Sequence, residues 1–271
     1  MEGSPMTDIL EFFHFRKFLE HCGACWAFSA ALVHSAAVFE SRVGERDRLV
    51  LYSAQYLVDC TTRKKPSEAC NGIAVMKALN RLSTDGVPLD ALYPYLSGKT
   101  AIFRGDHVHE IGAQNECGVA GEVALVRTKK QGLLYKAEPA QFGFVRGLTA
   151  QMTYLTTYRL PLAALEKRYF TSSVTPKSRD SIFHAHFKTY KSKEVYDPSP
   201  EECKSAEEDP DNSMHIISIV GYGEEGGKPF WLIVNSYGQE WGDHGEAKYV
   251  RGKNACGIEQ YGYFIKSVEH F

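Results

Sequence analysis

The stretch Cys22-Gly-Ala-Cys25-Trp26-Ala-Phe-Ser29 opens a long helical pattern and decides how the rest of the chain is interpreted. Alanines and large apolar residues continue from Cys25 to Val43 on almost every side, which predicts a buried helix. A cysteine in the first turn of a helix lies where the helix dipole stabilises a thiolate, the reactive form of the side chain. The stretch therefore makes Cys25 a candidate nucleophile.

Other interpretations of Cys22 and Cys25 compete with this one. A zinc site needs a second pair of cysteines or histidines at suitable spacing, and His184-Ala-His186 is isolated. A thioredoxin-like redox pair usually follows a strand and has its tryptophan before the first cysteine, whereas Trp26 follows the second. A buried structural cysteine is the third alternative. The stretch taken alone leaves the nucleophile and the structural cysteine open.

Length and composition are those of a globular protein. The 271 residues suffice for one large domain or two half-sized ones. A net charge of −2 gives no indication of a nucleic-acid or acidic-membrane binder, so neither is expected as a partner. The longest apolar run, residues 24–39, is interrupted by Ser29, His34 and Ser35 and is too short to span a bilayer.

The cysteine count and the N-terminus point in opposite directions. Seven widely spaced cysteines suit three disulfides and one remaining thiol, which favours an oxidising compartment. Residues 1–18 nevertheless lack the basic segment and the apolar stretch of a signal peptide.

Helical patterns precede strand patterns along the chain. After the helix at Cys25, shorter helices are expected at residues 52–58 and 73–82. Apolar runs separated by glycine pairs and Asn-Ser turns predict strands in the last quarter of the chain. The expected strands are residues 215–220, 229–234, 246–250 and 262–268. Helices first and strands later indicate an α+β fold.

Two blocks near the C-terminus extend the argument from Cys25. The first is Met214-His215-Ile-Ile-Ser-Ile-Val-Gly-Tyr-Gly223, and the second runs from Pro229-Phe-Trp-Leu-Ile-Val-Asn235 through Ser-Tyr237-Gly-Gln-Glu-Trp241 to Gly245. With Cys22–Ser29 they resemble, in order, the cysteine, histidine and asparagine blocks of the papain-like, cathepsin-type cysteine peptidases. Shorter matches occur at Tyr52–Cys60, Cys70–Gly72, Tyr93–Tyr95 and Cys256–Ile258. The chain is identified as a divergent member of this family, and the missing Pro-x-x-x-Asp-Trp-Arg stretch and prodomain suggest an N-terminally incomplete one.

The resemblance implies a papain-like two-lobed α+β fold. A mainly helical lobe, residues 1–120, would carry the nucleophile. An antiparallel β-barrel-like lobe, residues 121–271, would carry the histidine and the asparagine, with the active-site cleft between the lobes. A polar insertion is expected around residues 125–185.

The resemblance also implies a catalytic role for three residues. Cys25 would attack the peptide carbonyl, His215 would hold the thiolate and protonate the leaving amine, and Asn235 would orient the imidazole. The backbone N–H of Cys25 would bind the oxyanion. Neither a cofactor nor a metal is expected.

Further implications of the resemblance concern disulfides, partners and location. The implied disulfides are Cys22–Cys70, Cys203–Cys256 and Cys60–Cys117, which leave Cys25 as the thiol. Expected partners are peptide or protein substrates and protein inhibitors of cysteine peptidases, and the expected state is a monomer. A lysosomal or secreted location is expected.

The chain departs from the family at the oxyanion position. Family members carry a glutamine six residues before the nucleophile, and Leu19 occupies that position. Leucine cannot donate a hydrogen bond, and loss of one such donor costs roughly 10²–10³ in rate in another peptidase. His21 is close in sequence and is a candidate replacement.

The shielding and substrate-binding positions differ as well. Tyr237 stands where the family has the tryptophan that covers the Asn–His hydrogen bond, while Trp241 is kept. Residues Gly23, Gly72, Ile73 and Tyr261 are expected to contact substrate. Ile73 replaces a family glycine and would crowd the cleft, and Tyr261 would make the main specificity pocket shallow and partly polar.

Two functions therefore compete. The intact set of Cys25, His215 and Asn235 favours an endopeptidase of reduced activity. Leu19, Ile73 and Tyr237 together favour a catalytically impaired binding protein on the same fold.

A glycine pattern at Gly221-Tyr-Gly223-Glu-Glu-Gly226 matches the dinucleotide-binding motif. That motif needs a following helix for the pyrophosphate, whereas a strand is expected from Pro229. We expect a hairpin turn here.

Overall fold

The computed structural model describes residues 23–42, 50–61, 72–95, 119–141, 170–174, 182–207, 215–259 and 262–271. They fall into two compact units. The helical unit contains the described residues up to Pro139 and the C-terminal Ile265–Phe271, and the sheet unit contains those from Ala140 to Phe264. The lobe boundary at residue 120 stays a prediction, as does the insertion around 125–185, much of which lies outside the described residues.

Four helices are described in the helical unit. They are α1 (Cys25–Ser41), α2 (Ala54–Thr61), α3 (Val75–Thr84) and α4 (Gly121–Lys130). α1 is buried on almost every side, with Trp26 and Leu32 at most 2% exposed, as its apolar sequence predicts. The two shorter predicted helices are confirmed, with their ends displaced by two or three residues.

The polar side chains of α1 are buried with it. Ser35 Oγ donates to Ala31 O at 2.8 Å and accepts the backbone N–H of Tyr52 at 3.2 Å. The His34 ring is fully buried and packs edge-on against the Tyr52 ring, with centroids 4.5 Å apart. Burial lowers the pKa of His34 to about 3, so His34 is a neutral core residue at physiological pH.

The sheet unit is built on a hydrogen-bonded row of strands. The strands of the protein are β1 (Tyr135–Gln141), β2 (Phe170–Val174), β3 (Val195–Tyr196), β4 (His215–Glu225), β5 (Lys228–Val234), β6 (Glu246–Val250) and β7 (Gly262–His270). Within the sheet unit their order is β7-β2-β4-β5-β6-β3. In the helical unit the end of β7 lies beside β1, where the Phe271 N–H donates to Leu134 O at 2.8 Å. The four strands predicted near the C-terminus are confirmed.

The described strands form an open sheet and no closed barrel. The row ends at β3, a strand of only two residues that pairs with β6 in parallel, while the other pairs along this row are antiparallel. So short a strand forms few hydrogen bonds, and β3 and β7 are not paired in this part of the chain. The α+β fold class is confirmed, and the expected barrel-like closure is replaced by this open arrangement.

A two-residue loop joins β4 to β5. Gly226 and Gly227 both have positive φ, 56° and 75°, which is the backbone of a type I′ hairpin turn. The strand β5 follows directly, so the glycine pattern at Gly221–Gly226 is a hairpin and does not lead into a helix.

Elements from the middle of the chain complete the core of the sheet unit. They are α5 (Ile182–Thr189), β3 and α6 (Pro200–Glu207), none of which the sequence predicted. α6 begins with a capping box, in which Ser199 N–H donates to Glu202 Oε2 and Glu202 N–H donates to Ser199 Oγ. The core cluster is Phe187, Ile217, Ile219, Trp231, Ile233, Trp241, Ala247, Tyr249, Val250, Ala255, Cys256 and Ile258.

One predicted disulfide, Cys203–Cys256, is formed and ties α6 to the loop before β7. Cys60 is also disulfide-bonded, whereas Cys22, Cys70 and Cys117 lie outside the described residues. Among the helices that the structure describes, none has the length and apolar character needed to cross a bilayer.

Candidate active site

The helical unit presents Cys25 at the start of α1. Cys25 is the first helical residue, is 7% exposed and is not disulfide-bonded. The first turn of α1 contains no acidic residue, so no carboxylate within that turn offsets the positive end of the helix dipole. This is the local electrostatic setting that favours a thiolate.

Three of the predicted substrate-binding residues also belong to the helical unit. Gly23 and Ile73 are half-buried, and Gly72 is exposed with φ +85°, a conformation that favours glycine. Leu19 and Tyr261 lie outside the described residues, as does His21. The contacts of substrate at these positions stay predictions.

The sheet unit brings His215 and Asn235 together. His215 begins β4 and Asn235 follows the last residue of β5, and these neighbouring antiparallel strands bring their ends to the same edge. His215 Nε2 lies 2.7 Å from Asn235 Oδ1, and both side chains are buried. The predicted pairing of these two residues is therefore present in the geometry.

The hydrogen bond fixes which nitrogen of His215 carries the proton. Asn235 Oδ1 also accepts the backbone N–H of Ser236 at 2.8 Å, and a backbone N–H can only donate. That contact identifies the Oδ1 atom as an acceptor, so His215 Nε2 must be the protonated donor. In the neutral ring, Nδ1 is then the nitrogen that can take up a proton.

The backbone of Asn235 is anchored to a tight turn, residues 241–246. Its N–H donates to Gly245 O at 3.0 Å, and Gly245 N–H in turn donates to Trp241 O at 2.7 Å. Gly242 allows the turn to close, because a Cβ there would lie 2.0 Å from Glu246 O. The orientation of Asn235 thus depends on a turn six to eleven residues further along the chain.

Aromatic rings cover the His215 imidazole. The Tyr237 ring stacks on it with centroids 4.6 Å apart and an angle of 19° between the planes. Trp241, only 2% exposed, meets the edge of Tyr237 at 6.2 Å. Tyr237 therefore lies against His215 and Trp241 against Tyr237, while the shielding role of the two rings stays a prediction.

Sequence reasoning missed the residues of α5 that hold this turn. Phe187 O accepts the indole N–H of Trp241, and Tyr190 O accepts the N–H of Gly242 at 2.7 Å. These backbone acceptors lie in α5 and one residue after its end, and no side-chain motif marks them in the sequence. Within the described ranges, no group of three or more His, Cys, Asp or Glu side chains is arranged to hold a metal ion.

The same turn contains two neighbouring carboxyl groups. Burial raises the pKa of Glu246 to about 7, and the charge of Asp243 adds to the shift. Asp243 is compensated by Lys193 at 3.2 Å and lies 3.9 Å from the ring of His244. Lys248, two residues along β6, is paired with Glu225. Glu246 therefore becomes charged close to neutral pH.

The chain matches the sequence profile described as papain family cysteine protease over residues 14–154 and 172–265. The chain belongs to the papain family of cysteine proteases.

Curated relatives within the papain family are similar along nearly the whole chain. Cathepsin S of Bos taurus is 29% identical over 249 residues, cathepsin B-like CP2 of Giardia intestinalis 28% over 270, and digestive cysteine proteinase 1 of Homarus americanus 28% over 241. These alignments cover 90%, 94% and 88% of this chain, which spans 59%, 74% and 58% of the respective relatives.

A solved structure of a Carica candamarcensis cysteine protease in complex with E-64 has the same fold. Its TM-score is 0.59 at 21% identity, and the match covers 93% of this chain and 92% of that one. The papain-like fold expected from the sequence is thereby confirmed.

The carboxyl pair in the turn makes stability of this papain-family chain depend on pH. The folded-state pKa of Glu246 lies above its ordinary value of 4.5, so the folded protein binds a proton more tightly than the unfolded chain. We expect the free energy of unfolding of the wild type to fall, relative to that of Glu246→Gln, by about 1–2 kcal/mol between about pH 4.5 and pH 8, allowing for partial exposure. Urea denaturation at several pH values measures this. Parallel pH profiles for the two proteins would contradict the expectation.

Proposed function

We propose that the protein is a cysteine-type endopeptidase with Cys25 as nucleophile, His215 as base and Asn235 as the residue that orients the base. The observation that carries the proposal is the His215 Nε2–Asn235 Oδ1 hydrogen bond of 2.7 Å, which leaves Nδ1 as the proton acceptor of the ring. Membership in the papain family and the position of Cys25 at the start of α1 support it.

The proposed reaction proceeds through an acyl-enzyme. The Cys25 thiolate attacks the carbonyl carbon of the peptide bond, and the tetrahedral intermediate collapses as His215 Nδ1–H gives its proton to the leaving amine. The thioester is then attacked by water, which His215 deprotonates, and the carboxylic acid and the thiolate are released. Asn235 keeps Nε2 protonated throughout, so that Nδ1 is the nitrogen that exchanges protons.

The proposed enzyme has fewer hydrogen-bond donors for the oxyanion than the family pattern provides. The backbone N–H of Cys25 belongs to the first turn of α1, and no carbonyl of α1 lies four residues before it to accept this N–H. Leu19 offers no second donor, because its side chain is a hydrocarbon. We therefore propose reduced turnover, by roughly 10²–10³, compared with an enzyme that has glutamine there.

The proposed substrates are peptides and proteins, and protein inhibitors of cysteine peptidases are proposed as partners of a monomer. An oxidising, acidic compartment, lysosomal or extracellular, is the proposed location. Two observations support it: disulfide bonding of Cys60 and of Cys203–Cys256, and the raised pKa of Glu246, which favours the folded protein below neutral pH.

Substitution of the three catalytic residues tests the proposal. We expect Cys25→Ala and His215→Ala to abolish hydrolysis of a fluorogenic peptide, a loss of at least roughly 10³-fold in kcat/KM. Asn235→Ala should lose roughly 10–10²-fold, since the imidazole stays but is no longer oriented. His270→Gln, at an exposed histidine without a proposed catalytic role, is the matched control. Unchanged turnover in Cys25→Ala would contradict the role of Cys25 as nucleophile, and a well-folded but inactive wild type would contradict the endopeptidase and favour the binding protein.

Restoring the missing donor tests the role of Leu19. We expect Leu19→Gln to raise kcat by roughly 10²-fold with little change in KM, because the new amide would act in the transition state. Leu19→Met has a similar volume and no donor, and it serves as the control in the same steady-state assay. Equal rates for the two variants would show that position 19 does not supply the oxyanion donor.

A further inference from the structure

The Phe187 ring lies at the centre of the aromatic cluster behind His215. It is 1% exposed, and its centroid is 6.4 Å from that of His215, 6.2 Å from Tyr237 and 5.1 Å from Trp241. The His215 ring is thus stacked on Tyr237 and also meets Phe187 at 67°. Two rings therefore restrict the imidazole in two directions.

The backbone of Phe187 is also connected to Asn235, through a series of hydrogen bonds. Its carbonyl accepts the indole N–H of Trp241, whose own carbonyl accepts Gly245 N–H, and Gly245 O accepts the N–H of Asn235. A continuous series of hydrogen bonds therefore connects the end of α5 to the residue that holds His215. The ring and the carbonyl of one residue support both members of the pair.

α5 is itself fixed to its surroundings. His186, next to Phe187, has Nδ1 2.8 Å from Glu202 Oε1 on α6, and α6 is tied to the loop before β7 by Cys203–Cys256. One residue after the end of α5, Tyr190 O accepts Gly242 N–H at 2.7 Å. A helix held at several points is a rigid support, which is what a positioning residue requires.

We propose that Phe187 is a positioning residue that holds His215 in the orientation in which Nε2 faces Asn235 and Nδ1 is left as the proton-accepting nitrogen. The inference rests on the proposed function. The ring does not touch substrate; it acts by filling the space into which His215 and Tyr237 would otherwise rotate. Removal of the ring should leave a cavity beside His215 and let the imidazole sample other orientations.

The effect on catalysis follows from how strongly the proposed Cys25 thiolate and His215 imidazolium stabilise each other. A misoriented imidazolium stabilises the thiolate less, so the pKa of the thiol rises and that of the imidazole falls. The bell-shaped pH profile of kcat/KM should therefore narrow from both sides in Phe187→Leu. A purely structural loss would lower the height of the profile without moving either limb.

The experiment compares the full chain with Phe187→Leu and with Ile258→Ala. Ile258 is fully buried in the same core cluster, and its replacement provides a matched loss of packing that removes no aromatic ring. We expect Phe187→Leu to lower kcat/KM by roughly 10- to 100-fold, mostly in kcat, and to narrow the pH profile. Ile258→Ala should keep both limbs where the wild type has them. If both limbs of the pH profile lie at the same pH values in all three proteins, the proposal is overturned.

A second readout does not depend on activity. Nitrogen-15 NMR of the imidazole, recorded above the upper limb of the pH profile where the ring is neutral, should show one tautomer for His215 in the wild type, protonated at Nε2, and a mixture of tautomers in Phe187→Leu. If the wild type is folded but hydrolyses no peptide, the proposed function fails while this test still decides on Phe187. A single Nε2-protonated tautomer in both proteins would contradict the positioning role.

Discussion

The hydrogen bond from His215 Nε2 to Asn235 Oδ1 sets the chemistry that the proposed site can perform. An amide oxygen can only accept, and this one is identified as an oxygen by its second donor, Ser236 N–H. The neutral imidazole is therefore held with its basic nitrogen on the other side of the ring. Burial of both partners makes the bond stronger than it would be in water and makes its loss costly. Most of the neighbouring structure serves to keep this geometry.

Two kinds of contact keep the His215–Asn235 geometry: hydrogen bonds of a tight turn and stacking of an aromatic ring. The tight turn of residues 241–246 anchors the backbone of Asn235, and Gly242 and Gly245 give it the positive φ angles that it needs. Tyr237 covers the face of the imidazole where the family has tryptophan, and it does so by stacking almost parallel to it. An aromatic face attracts a cation, so the stacked tyrosine favours the protonated ring that the proposed mechanism uses. A tyrosine at this position is thus compatible with catalysis, although it is smaller than the family residue.

Motifs that act locally could be predicted from the sequence, whereas non-local contacts could not. α1 was predictable because its residues are apolar on every side, and β5 and β6 because short apolar runs end at glycines or at Asn-Ser. α5 and α6 are eight residues each, too short for a clear hydrophobic period, and the two-residue β3 has no pattern at all. The role inferred for Phe187 depends on rings 28 to 54 positions away, His215 and Trp241, and on a backbone carbonyl that any residue possesses. The catalytic assignment of Cys25, His215 and Asn235 rests on family blocks and, for the histidine and the asparagine, on their hydrogen bond within the sheet unit.

Reaction of Cys25 with an epoxysuccinyl probe at about pH 5.5 tests the central claim most directly. An ordinary thiol, with a pKa of about 8.5, is almost fully protonated at that pH and reacts very slowly. We predict rapid labelling of one equivalent at Cys25, located by peptide mass spectrometry, that is lost in His215→Ala and slowed in Asn235→Ala. Absence of labelling in a well-folded wild type, or labelling at the same rate in His215→Ala, would show that no thiolate–imidazolium pair forms and would contradict the account.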